Sequence, residues 1–146
     1  GYLHVYYRSA NGFSDQVHSQ PSPTFYDNFA KINKSYRCLK FAPLILNKDL
    51  ECIYSIVNIN GKCITPDYEI KIRIWTDKQG EFVFPRKIAS GKITNIYLDE
   101  IMPKIQEHVD QVGVFQIEAE TINFGATWFL INKHTHSMAV DHFTGG

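Results

Sequence analysis

The stretch Tyr68-Glu69-Ile70-Lys71-Ile72-Arg73-Ile74-Trp75 decides the fold. Ile70, Ile72 and Ile74 fall on one face and Glu69, Lys71 and Arg73 on the other, because successive strand side chains point to opposite sides. This period-two alternation marks a strand with one buried and one solvated face, as antiparallel sheets commonly have.

The neighbouring segments follow the same grammar. Asp77-Lys78-Gln79-Gly80 reads as a four-residue hairpin turn into a short strand at 81–84, which Pro85 ends. A strand at 92–98 follows, then a helical turn at 99–102 cut by Pro103, then a short helix or irregular crossover at 104–112. Residues 113–120 place Phe115, Ile117 and Ala119 inward and Gln116, Glu118 and Glu120 outward. The segments 126–131 and 138–143 form a closing hairpin across 132–137.

Toward the N-terminus, 50–59 is a strand ended by Asn60-Gly61, the strongest two-residue hairpin signal. Pro43 demotes 41–46 to an edge strand or a loop. A first strand at 2–7 is stopped by Ser9-Ala10-Asn11-Gly12. Residues 13–24 are polar, with Pro21 and Pro23, and read as a loop or extended arm, while 25–39 fits a helical start only loosely. The expected architecture is one all-β domain over 1–146, an antiparallel β-sandwich of immunoglobulin-like or jelly-roll-like type. It has roughly seven to nine strands, at most one or two short helical turns, and a partly irregular arm at 8–40.

Composition narrows the function classes. The 146 residues carry 15 basic and 15 acidic side chains, so no basic excess points to nucleic acid or an anionic membrane. No run approaches the ~18 apolar residues that span a bilayer. The 2 Trp, 8 Tyr and 10 Phe suit a large β core. Cys38, Cys52 and Cys63 are odd in number and lack short paired spacing, which argues against a disulfide framework and for a reducing cytoplasm. The chain opens Gly1-Tyr2-Leu3-His4 without a basic-then-apolar leader, and the missing initiator Met points to processing or excision from a longer chain.

Three groups of residues could carry a function. Tyr6, Tyr7, Arg8, His18, Gln20 and Tyr26 combine stacking rings with hydrogen-bonding groups, a mixture that suits a small polar ligand such as a sugar. His134 and His136, two residues apart, point the same way on a strand and could share one divalent metal ion with Asp141 or His142. The His134-Thr135-His136 pair is similar to the first motif of the cupins, which implies a metal-dependent enzyme. The Glu of that motif is missing here, and the ten residues after His136 are too few for the second motif.

The third group is Thr127-Trp128-Phe129-Leu130-Ile131, which breaks alternation and reads as a strand covered on both faces. The cover would be the N-terminal arm, or another subunit in a homo-oligomer formed through the strand around Trp128. No serine sits in a Gly-x-Ser-x-Gly elbow, no phosphate loop exists, and Glu118 and Glu120 read as solvated strand charges. The leading expectation is a non-catalytic module, without cofactor, that binds a polar ligand (carbohydrate in one version) or a protein. A metal-dependent enzyme of cupin-like type and an oligomeric assembly component are the alternatives.

Overall fold

A computed structural model describes residues 3–8, 14–19, 38–57, 67–89, 91–101, 110–120 and 125–144, with backbone placement alone for 3–8, 14–19, 38 and 99. Strands β1 (Leu3–Arg8) and β2 (Ser14–Ser19) pair as an antiparallel hairpin. The remaining eight are β3 (Cys38–Leu46), β4 (Leu50–Val57), β5 (Tyr68–Thr76), β6 (Gly80–Ile88), β7 (Ile93–Tyr97), β8 (Gln111–Ala119), β9 (Gly125–Asn132) and β10 (Met138–His142). They build two four-stranded antiparallel sheets, in the orders β3-β8-β5-β6 and β10-β9-β4-β7. Among the described residues one helical turn, α1 (Leu98–Ile101), follows β7 directly.

The all-β antiparallel reading holds, and several local expectations are corrected. Residues 14–19, expected as loop, form β2 because they complete a backbone ladder with β1. Asn60-Gly61 itself lies outside the described residues, but the strands on either side do not pair. β4 bonds to β7 and β9, whereas β5 bonds to β6 and β8, so these two strands belong to different sheets. Pro85 does not end β6, which continues to Ile88. β6 is an edge strand, and at a sheet edge a proline sacrifices no ladder bond when its nitrogen faces outward. The hairpins β5–β6 and β9–β10 form as expected. At the first, Gly80 takes a φ of +79°, the left-handed region that glycine enters without steric cost. Thr76 Oγ1 braces that turn by accepting from the Gln79 N–H at 2.9 Å.

The core lies between the sheets and is assembled by alternation. β5 contributes Ile70, Ile72 and Ile74, β8 contributes Phe115 and Ile117, and β4 contributes Cys52, Tyr54 and Ile56, all of them buried. Tyr54 and Phe115 come from opposite sheets and stack with centroids 3.8 Å apart at 13°, while Phe143 meets both edge-on at 5.9 Å. Trp128 and Leu130 of β9 pack against this core.

Burial alone would strand the polar atoms of Tyr54 and Cys52, so each reaches across to β3. The Tyr54 hydroxyl donates to the Pro43 carbonyl at 2.9 Å, and Cys52 Sγ accepts from the Ile45 N–H at 3.4 Å. Burial raises the pKa of Cys52 and raises that of Tyr54 well above its usual range, with Cys52 adding to the shift in Tyr54. Both remain neutral near pH 7 and act as structural donors and acceptors.

Candidate functional site

The outward face of β3-β8-β5-β6 carries the most unusual surface among the described residues. Register sets it out in rows across the four strands. One row runs Pro43, Val114, Trp75, Glu81, and the next runs Phe41, Gln116, Arg73, Val83. A third runs Leu39, Glu118, Lys71, Pro85, and beyond the first row Ile45 stands opposite Val112.

An alternating strand normally turns polar side chains to this side. Here β8 turns Val112 and Val114 outward, β6 turns Val83 and Pro85, and β3 turns Phe41 and Pro43. Of the five large hydrophobic residues exposed among the described ones, four (Phe41, Val83, Val112 and Val114) lie on this face.

A charged stripe crosses the apolar field. Arg73 hydrogen-bonds Glu81 and approaches Glu118 at 3.6 Å, and Lys71 lies 3.8 Å from the same Glu118. The hydrogen bond to Glu81 holds the Arg73 guanidinium above its usual pKa, with Glu118 adding to the effect. The guanidinium also lies over the Trp75 ring, 5.7 Å from its centroid, within cation–π range. Gln116 is buried although it points outward, flanked in the ladder by Phe41 and Arg73. The stripe therefore fixes the Arg73 and Trp75 side chains in place beside exposed valines.

The residues expected to bind a polar ligand fall largely outside this description. Gln20 and Tyr26 lie outside the described residues. Tyr6, Tyr7, Arg8 and His18 are placed by backbone only, with Tyr6 opposite Gln16, Tyr7 opposite Asp15, Arg8 opposite Ser14 and His18 opposite His4. The strand β2 lies against β10.

The histidine cluster does not assemble. His134 Nε2 pairs with Asp49 Oδ1 at 2.9 Å, across to the β3–β4 turn, while His142 Nδ1 sits 2.8 Å from its own neighbour Asp141. Asp141 and His142 pair with Trp128 and Thr127, well down the ladder from the 132–137 turn, because each strand residue advances about 3.3 Å. Among the described residues no group of three or more His, Cys, Asp or Glu side chains could hold a metal ion.

His134 instead helps to tie two turns together. Lys133 donates from its backbone N–H to the Asp49 carbonyl at 2.8 Å and from Nζ to the Asn47 carbonyl at 3.2 Å. Asn47 Oδ1 accepts from the N–H groups of Asp49 and Leu50, and Asn132 Oδ1 accepts from those of His134 and Thr135. Such side-chain acceptors stabilise turns.

Sequence reasoning assigned the polar outward positions of these strands but did not gather their apolar ones. The signal was present: Val112 and Val114 have the parity opposite to Phe115 and Ile117, and Val83 and Pro85 stand apart in the same way. No family model, curated protein or solved structure matches the chain. What the fold defines is a class of architecture, an all-β protein of two antiparallel four-stranded sheets. No helix among the described residues is long and apolar enough to cross a membrane.

Proposed function

We propose that the protein is a non-catalytic interaction module that binds another protein through the outward face of β3-β8-β5-β6. The observation that supports this is the concentration of Phe41, Val83, Val112 and Val114 on one sheet face, around Trp75 and Arg73. Contiguous exposed apolar surface marks interaction sites, and Trp and Arg are the residues most enriched where binding energy concentrates. The ion pairs beside them supply orientation and partner choice more than affinity.

A second reading follows from Trp75 itself. An aromatic ring flanked by Arg73 and by Glu81 in the ladder offers a stacking face with hydrogen-bonding groups at its edge, which suits a sugar. The two readings separate in one titration. Trp128→Phe leaves Trp75 as the sole tryptophan of the chain's two, so its emission reports on this face alone. A panel of peptides with aromatic and aliphatic anchors is expected to blue-shift that emission by excluding water from the ring. A response to oligosaccharides alone would replace the first reading by the second. Silence toward both panels, with the variant folded, would remove both.

A further inference from the structure

A sheet ends in a row of unpaired backbone N–H and C=O groups, which a protein must blunt or cover. Three of the four edges of the two four-stranded sheets show how this chain does it. On β3, Phe41 exchanges bonds with Thr144 at 2.7 and 2.9 Å. The Pro43 carbonyl takes the Tyr54 hydroxyl, Pro43 has no N–H to leave bare, and the Ile45 N–H is held by Cys52 Sγ. On β6, Pro85 is followed by Arg86 and Lys87. β10 has β2 lying against it.

The fourth edge, β7, is Ile93-Thr94-Asn95-Ile96-Tyr97 and has neither a proline nor a charge. Its one ladder among the described residues is with β4, and Ile93 is 65% exposed, the highest value among the large hydrophobics. We infer that β7 is a self-association edge. It pairs antiparallel with β7 of a second copy about a two-fold axis through Asn95, and so joins two four-stranded sheets into one.

The sequence of the strand is self-complementary in that register. Ile93, Asn95 and Tyr97 share the outward face, opposite Val57, Ser55 and Ile53 of β4. The two-fold sets Ile93 of each copy beside Tyr97 of the other, a β-branched–aromatic pair of the kind that stabilises neighbouring strands. It also extends the apolar row Phe129–Ile53–Tyr97 across the junction. The register suits either hydrogen-bonding phase of the strand. If Asn95 directs its backbone groups outward, the two Asn95 residues bond each other; otherwise Thr94 bonds Ile96 of the second copy.

Charge agrees with this arrangement. Lys92 precedes the strand and Glu100 follows it, so antiparallel pairing brings the basic end of each copy toward the acidic end of the other. A chain of zero formal net charge sets up no long-range repulsion between copies.

Sedimentation equilibrium across a concentration series tests the inference. The full chain is expected to form a dimer of twice its 16.8 kDa mass at high micromolar concentration. Asn95→Lys places two ammonium groups face to face on the axis and is expected to weaken the dimer at least tenfold, with the far-UV spectrum unchanged. A monomeric wild type at 1 mM, or a dimer indifferent to Asn95→Lys, would overturn it.

Should Asn95→Lys fail to fold, Asn95→Cys with Cys38 and Cys63 replaced by Ser decides the matter. Mild oxidation is expected to give a disulfide-linked dimer through position 95, and the same change at Ile93 much less, since its counterpart is Tyr97. A folded Asn95→Cys protein that does not cross-link would count against the pairing.

Discussion

Gly113→Ala is expected to destabilise the protein by on the order of 3 kcal/mol, in the upper range of single substitutions. Gly113 lies in β8, between Leu44 of β3 and Thr76 of β5. A Cβ built there would overlap the Trp75 carbonyl oxygen and come within 2.9 Å of its carbonyl carbon. Those are backbone atoms of the neighbouring strand, so no side-chain rotation relieves the overlap, and β5 and β8 would have to separate. Glycine in a strand interior marks such an approach of one backbone to another. Gly125→Ala provides the comparison, because nothing lies within 4 Å of its added Cβ, and its effect should stay within about 0.5 kcal/mol. Urea unfolding of both variants measures the contrast. A Gly113→Ala loss below that of Gly125→Ala would mean that the two strands do not approach each other as described.

Phe115→Ala is the second large effect, about 3–5 kcal/mol. Its ring is fully buried and stacks on Tyr54 from the opposite sheet, with Phe143 closing the third side. Truncation removes the transfer energy of the ring and leaves a cavity between sheets that the flanking strands, held in their ladders, cannot fill. A typical domain has 5–15 kcal/mol of stability in total, so this one change consumes a large share of it. Phe115→Leu keeps most of the volume and should cost less than half as much. Chemical denaturation checks both, and equal losses in the two variants would mean that cavity volume is not what matters at this position.

The parts of the fold that were legible in the sequence are those set by local alternation and turn chemistry. Ile70, Ile72 and Ile74 are buried as their spacing required, and Gly80 closes the β5–β6 turn. Sheet membership was not legible. β4 and β5 follow one another in the described sequence yet belong to different sheets, because long-range partners decided the pairing. Pro85 stopped a strand only on the assumption that its nitrogen was needed in a ladder, and an edge strand does not need it.

The candidate site follows the same division. His134 and His136 looked like a ligand pair because spacing is local information. The partner of His134 proved to be Asp49, 85 residues away (across two turns at one end of the sheets). The outward face needed the reverse knowledge. Val83, Val114 and Phe41 are far apart in sequence and are seen to share one sheet face only when the order β3-β8-β5-β6 is known.

The proposed role rests on the apolar residues of that face serving a partner and not the fold. The thermal unfolding midpoint of a Val83→Thr/Val112→Thr/Val114→Thr variant tests this most directly, since threonine keeps the β-branch and nearly the volume of valine while adding a hydroxyl. Exposed positions accept that change within about 0.5 kcal/mol each, so the expected midpoint stays within a few degrees of the wild type. Valines packed inside the fold would each lose about 1–3 kcal/mol by burying a hydroxyl. A fall of about 15 °C or more would therefore show the face to be part of the core and contradict its assignment as a recognition surface.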